Sequence, residues 1–250
     1  MPVIEPLLLS TVRVCTYLGE HLLTNASGFF FARDHHLFLV TSRHVLMDEP
    51  SRHFPDRIEI EVHSDPNDMG ASCVLSVPLY RDSQSLWRQG QDLAGNIDVA
   101  LIEIERATLP ASAVYHAFTP AHLQWSGAPV EVGTTLLVVG FPLGFHDNLH
   151  HMPVVRHAVL ASSFGLRFQG QGYFLTDART HRGTSGAPVV MRAPATHNDL
   201  DELPWLLLGI HSARIDLGSR DLVQDEALGL NCTWYADILL TLSESCPFKS

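Results

Sequence analysis

The stretch His181-Arg182-Gly183-Thr184-Ser185-Gly186-Ala187-Pro188-Val189-Val190 sets a serine between two glycines and then runs into an apolar, β-type segment. Glycine tolerates sharp bends and lets another group approach the main chain closely, so Gly183 and Gly186 suit a tight turn that presents Ser185 as a nucleophile. In such a turn the N–H groups of Gly183 and Ser185 converge on one oxygen, an oxyanion hole in outline. Taken alone, the stretch reads more simply as a hairpin or loop, because Gly, Thr, Ser and Pro punctuate turns in any globular protein.

Two upstream stretches supply what a serine nucleophile needs. Leu37-Phe38-Leu39-Val40-Thr41-Ser42-Arg43-His44-Val45-Leu46 is an apolar strand ending in a small-polar turn that carries His44, a base able to take a hydroxyl proton near neutral pH. Asn96-Ile97-Asp98-Val99-Ala100-Leu101-Ile102 puts an acid at the head of another apolar run, where a partly buried carboxylate requires a partner such as His44. The chain order is His44, Asp98, Ser185, each at a strand end.

These three stretches resemble the motifs of trypsin-like serine peptidases of the chymotrypsin fold. Thr41-Ser42-Arg43-His44 is similar to that family's T-A-A-H turn, Asp98-Val99-Ala100-Leu101 to its D-I-A-L strand, and Gly183 to Pro188 to its G-x-S-G-x-P elbow. Gly140-Phe141-Pro142-Leu143-Gly144 and Thr176-Asp177-Ala178 resemble segments of the bacterial high-temperature-requirement proteases, and Leu208-Gly209-Ile210-His211-Ser212 looks like the strand that binds substrate backbone. The resemblance implies a serine endopeptidase with Ser185 as nucleophile, His44 as base, Asp98 as its orienting acid, and the Gly183 and Ser185 N–H groups as oxyanion donors. It implies an all-β fold of two six-stranded antiparallel β-barrels with a short C-terminal helix.

The departures from the pattern matter as much. Thr184 stands before the serine where secreted digestive members carry an aspartate that pairs with a newly released N-terminus, so activation by that route is not expected. Ser42 and Arg43 replace the usual alanines before the histidine, and Ala187 replaces a commoner glycine or aspartate. Without the propeptide switch, gating by loop order or by a regulatory partner protein is the expectation.

The 250 residues, 46% of them hydrophobic, are enough for one large or two modest cores. A formal charge of −11, from 16 basic and 27 acidic side chains, opposes nucleic acid as a partner, and 15 histidines make the charge sensitive to mild acid. Cys15, Cys73, Cys232 and Cys246 are scattered, with no metal or redox spacing, and read as free thiols. The first ten residues lack the features of a signal peptide and no run spans a bilayer, so the expectation is a cytoplasmic protein with no membrane partner.

Residues 1 to about 110 read as short strands between turns: Val12–Val14, Gly28–Ala32, Leu37–Val40, Arg57–His63 with Ile58, Ile60 and Val62 on one buried face, and Cys73–Leu79. Trp87 lies in the approach to Asp98 and is expected to pack. Residues 111–131, with Pro120 and Pro129, read as the crossing between barrels. The second barrel, 132–250, takes strands at Thr135–Val139, Val154–Leu160, Tyr173–Asp177, Pro188–Met191, Trp205–His211 and Leu228–Cys232, and Tyr235–Leu242 is the closing helix.

His146, His150 and His151 raise a metal site, but Gly144, Asp147 and Asn148 make the segment a loop and no H-E-x-x-H occurs, so neither metal nor cofactor is expected. In this fold the specificity pocket is walled by 178–184, by the residues after Ser212, and by Leu228–Asn231. The glutamyl-endopeptidase-like branch has a histidine at the place of His211, and Arg179 or Arg214 adds positive charge nearby, which implies a substrate with Glu, Asp or Gln on the acyl side. The alternative for His211 is a core side chain that satisfies a backbone carbonyl. Two other functions compete: an idle peptide-binding module, which has no need of all three residues, and an esterase of α/β-hydrolase type, whose order is Ser, acid, His.

Overall fold

Residues 4–92, 95–123, 130–194, 200, 202–215 and 229–244 are described by a computed structural model. The alternation in Arg57–His63 takes the form expected of it, with Ile58, Ile60 and Val62 buried and the strand paired on both sides. In chain order the strands of the first half are β1 (Thr11–Leu18), β2 (His21–Arg33), β3 (His36–Thr41), β4 (Arg57–His63), β5 (Ser72–Pro78), the small hairpin β6 (Tyr80–Arg81) and β7 (Gln84–Ser85), β8 (Trp87–Asp92) and β9 (Gly95–Ile104). The expected six-stranded N-terminal barrel is realised as a seven-stranded antiparallel sheet, ordered β5-β4-β1-β2-β3-β9-β8. Its two ends approach each other just beyond the sheet, where Leu86 N–H donates to the Leu79 carbonyl at 2.9 Å. The six strands were what the resemblance implied; the additional strand is Trp87–Asp92, read from sequence only as the approach to Asp98, which forms a hairpin with Gly95–Ile104.

The second half is a closed six-stranded barrel, β10 (Thr135–Gly140), β11 (Val154–Leu160), β12 (Tyr173–Asp177), β13 (Pro188–Arg192), β14 (Trp205–Arg214) and β15 (Leu230–Tyr235), closing in the order β10-β11-β12-β15-β14-β13. The strand start expected at Leu228 lies outside the described residues. A short closing helix follows, as expected, but over Ile238–Leu242 only: Tyr235, its expected start, ends β15 instead, paired with Gly209. An antiparallel all-β chain does not accommodate the α/β-hydrolase alternative, whose sheet is largely parallel and covered by helices. Among the described residues no helix is long and apolar enough to cross a membrane.

Strands buried on both faces join the halves. In β3, Leu37 and Leu39 enter the core of the N-terminal sheet with Ile58, Trp87 and Ile102, while Phe38 and Val40 face a second core. That second core contains Phe29 and Phe31 of β2, Val99 and Leu101 of β9, Val139 and Val190 of the barrel, and Leu239 of the closing helix. Period-two alternation therefore sends every other side chain to the boundary between sheet and barrel. Each buried Phe contributes on the order of 1.5–3 kcal/mol relative to exposure, so the boundary is a packed interior rather than a flexible hinge. The segment expected as a crossing takes part in it: Phe118 is fully buried against Phe29, and its backbone pairs with Phe30 and Ala32.

Candidate active site

His44 and Ser185, on turns beside strand ends, meet Asp98 at this boundary; Asp98, expected at a strand end, lies inside β9, whose hairpin with β8 extends the strand back to Gly95. His44 stands on a single helical turn, α1 (Arg43–Leu46), directly after β3. Ser42, at the N-cap position, does not cap the turn; its hydroxyl donates to the His211 carbonyl of β14 at 3.2 Å, which ties the turn to the barrel. Arg43 points away from the site, bonded to Glu49 at 2.9 Å and to Gln89 at 2.6 Å.

Asp98 receives three donors. Its Oδ1 accepts the backbone N–H of His44 at 2.8 Å, and its Oδ2 accepts His44 Nδ1 at 2.7 Å and the Ser212 hydroxyl at 2.5 Å. An ionised carboxylate only accepts, so the imidazole proton sits on Nδ1 and Nε2 keeps its lone pair. Burial alone pushes the His44 pKa down, but the hydrogen bond and charge of Asp98, with help from Asp48, outweigh it and leave the pKa raised above 6.5.

The turn that carries Ser185 requires glycine at two places. Gly183 has φ +90°, and a Cβ there would lie 2.5 Å from the Phe141 carbonyl; Gly186 has φ +83°, and a Cβ there would lie 2.2 Å from the Ser27 carbonyl. The Arg182 carbonyl accepts Leu143 N–H at 2.6 Å, so the trans peptide directs the Gly183 N–H to the opposite side. Among the described residues neither Gly183 N–H nor Ser185 N–H has an acceptor, and both remain available to a ligand. The Ser185 hydroxyl donates to the Ser212 carbonyl at 2.9 Å rather than to His44. His44, Gly183 and Ser185 line one open cavity of ≈630 Å³, lined also by Leu18, Leu23 and Phe54.

The expected specificity residues divide. His211 is buried at 2% exposure, its backbone bonded to Gly186 and Ala187 and its Nδ1 without a partner. Burial, reinforced by the His44 charge and opposed by Asp98, pushes its pKa down to about 4, so the ring is neutral near pH 7. The core role of satisfying a carbonyl through that nitrogen is therefore not met. Ser212, expected to bind substrate, turns its side chain to Asp98. Arg179 is exposed, and its carbonyl accepts Arg156 Nε at 3.1 Å; Arg214 lies exposed near the end of β14. The stretch 216–228, and with it much of the expected pocket wall, lies outside the described residues. The histidines weighed as metal ligands are held separately: His146 on the Gly144 carbonyl, His150 on Asp147 and His151 on Glu61.

Three residues organise the site without having been given a role of their own from sequence, where Thr41 stood only within the motif of His44 and Asn231 only at the edge of a pocket wall. Asn231 donates to the Ala178 carbonyl at 2.8 Å and the Gly229 carbonyl at 2.9 Å and accepts the Thr180 hydroxyl at 2.5 Å, joining two pocket walls. Ser27 and Thr41 underlie the Ser185 turn, with Thr41 Oγ1 donating to the Ser27 carbonyl at 2.8 Å. No local signal marks them, because their partners are distant in sequence.

The fold and this site define the class, and the family model described as "Trypsin-like peptidase domain" matches residues 26–193. The chain belongs to that family. Among solved structures it is similar to a serine endoprotease from Yersinia pestis, with TM-score 0.54 and 15% identity over 96% of this chain and 65% of that one. It is also similar to a protease from M. tuberculosis in its active form, with TM-score 0.50 and 14% identity over 97% of this chain and 86% of that one. The chain thus spans somewhat under two thirds of the Yersinia structure. No curated protein matches it by sequence.

Proposed function

We propose that this chain is a serine endopeptidase working through Ser185, His44 and Asp98. The observation that carries the proposal is the Asp98 carboxylate, which holds both the His44 backbone and its ring while His44 and Ser185 face one cavity. In the reaction Ser185 Oγ bonds to the scissile carbonyl carbon as its proton passes to His44 Nε2, and the oxygen becomes an oxyanion facing the Gly183 and Ser185 N–H groups. The C–N bond then breaks, His44 returns the proton to the leaving amine, and an acyl-enzyme remains. Water repeats the sequence, giving its proton to His44 and its oxygen to the acyl carbon, and Ser185 is restored.

The Ser185 to Ser212 bond supports a resting state in which the hydroxyl turns to His44 only when the site is occupied or a partner engages it. An acyl-side preference for Glu, Asp or Gln requires the buried, unpartnered His211 Nδ1 to open towards the substrate, whose polar side chain would complete its hydrogen bonding. Labelling with a fluorophosphonate probe tests the chemistry: wild type labels and Ser185→Ala does not, and equal labelling of the two removes the hydrolase reading. Profiling of cut sites on a denatured proteome tests the pocket, where cuts mainly after Leu, Val or Ala would reject the acidic preference.

A further inference from the structure

Ser27 lies on β2, fully buried, with all of its hydrogen-bonding groups engaged at the boundary between sheet and barrel. Its hydroxyl donates to the Gly183 carbonyl at 2.7 Å and accepts the Phe141 N–H at 3.0 Å. Its N–H donates to the Ser185 carbonyl at 2.9 Å, and its own carbonyl accepts the Thr41 hydroxyl. Two of these bonds reach the turn that carries the nucleophile, across 156 residues of sequence in the case of Gly183.

The rest of the turn is held through its backbone: Thr184 N–H donates to the His181 carbonyl at 3.2 Å, Ala187 N–H to the Thr184 carbonyl at 3.0 Å and Gly186 N–H to the His211 carbonyl at 2.8 Å. Gly183 sits at φ +90°, where the residue without a Cβ resists rotation of its neighbouring peptides least. Thr184 is buried with its hydroxyl unpartnered, so it offers no side-chain tie. Gly183 is tied on both sides: before it by Leu143 N–H on the Arg182 carbonyl at 2.6 Å, and after it by the Ser27 hydroxyl on the Gly183 carbonyl at 2.7 Å, shorter than the 3.2 Å bond from Thr184 N–H to the His181 carbonyl on the same peptide. The surroundings keep room for that hydroxyl, since a Cβ on neighbouring Gly140 would stand 2.5 Å from Ser27 Oγ.

We propose that Ser27 is a positioning residue for oxyanion binding: its hydroxyl holds the Gly183–Thr184 peptide, which links the two donors, so that the Gly183 and Ser185 N–H groups aim at one point. Loss of the hydroxyl leaves a dry carbonyl and a dry N–H, at Gly183 and Phe141, without their shared partner, and frees the turn to re-aim. Removal of a whole oxyanion donor costs about 10²–10³-fold in turnover, so a misaimed donor is expected to cost about 10- to 100-fold.

This inference rests on the hydrolase reading, and the experiment separates the two. Wild type, Ser185→Ala, Ser27→Ala and Ser27→Thr are compared in fluorophosphonate labelling rate, in kcat and KM on quenched-fluorescent denatured casein, and in melting temperature. Ser27→Ala is expected to lower kcat and labelling together by about 10- to 100-fold at unchanged KM, and Ser27→Thr, which keeps the hydroxyl, to restore both. If Ser27→Ala does not fold, Ser27→Cys takes its place, similar in size but a weak donor. Labelling and kcat within twofold of wild type, or a loss that disappears on cooling below the melting transition, would overturn the role of Ser27 while leaving the hydrolase intact. Wild type as inert as Ser185→Ala would overturn both.

Discussion

The Ser212 hydroxyl donates to Asp98 Oδ2 at 2.5 Å, sharing that oxygen with the ring N–H of His44 at 2.7 Å. A carboxylate so supplied is satisfied in a half-buried place, and its direction sets the tautomer of His44. Asp98→Asn replaces an acceptor by an amide N–H and moves the imidazole proton to Nε2, so kcat is expected to fall by about 10⁴-fold with little change in melting temperature. Ser212→Ala removes one donor and leaves more of the Asp98 charge on His44. Its kcat should fall by about 10-fold at most, less than one whole oxyanion donor costs, and its pH profile should move to higher pH.

On the proposed mechanism, the raised His44 pKa sets the expected acid limb of activity. His44 acts as base only when neutral, so activity is lost as pH falls through a value above 6.5. A profile of kcat/KM against pH in which the lower limb lies clearly below 6.5 would contradict the Asp98 pairing as drawn.

Ser185→Ala and His44→Ala are each expected to lower kcat by about 10⁶-fold, and the double variant by no more than either, because nucleophile and base act as one unit. Steady-state turnover of the three variants on denatured casein checks this; additive losses would mean that the two residues act independently.

His211 makes stability depend on pH in a definite direction. Its pKa near 4 in the folded chain lies below the usual 6.5, so the unfolded state takes up the proton first. The contribution is whole above pH 6.5 and is lost as pH falls towards 4, on the order of 3 kcal/mol in all. His211→Leu keeps the volume and removes the titration, so urea unfolding at pH 7 and pH 4 should show a smaller acid loss for the variant. Parallel losses in both proteins would place the acid sensitivity elsewhere, His122 being another buried imidazole whose pKa burial lowers.

Cys232 offers a further check. Burial pushes its thiol up to about 11, so it should react with thiol reagents most slowly among the described cysteines, and only on unfolding at a normal rate. Rapid labelling of Cys232 in the native protein would show that β15 opens.

Most of the strands, and the three residues of the site, were legible in the sequence because each is a local signal. Alternation in Arg57–His63, the apolar runs leading to His44 and out from Asp98, and the glycines around Ser185 depend on backbone preference and on which face is buried, properties that a short window carries. The same locality missed what pairing creates: Trp87–Asp92, polar and read only as an approach to Asp98, became a strand through its hairpin with Gly95–Ile104, and His21–Thr24 joined β2 because β1 lies beside it.

Which groups meet was decided by the tertiary structure. That Ser212 turns to Asp98, that Ser42 reaches the His211 carbonyl, and that Ser27 bonds Gly183 follow from two β layers closing over a shared core of Phe29, Phe38 and Val190. A hydrogen bond needs donor and acceptor within about 3 Å, and such contacts across a chain's length leave no trace in the residues adjacent to either end. The residue types and order of the site were thus set by the sequence itself, while the aim of its donors, the tautomer of His44 and the burial that holds His211 neutral were set by packing.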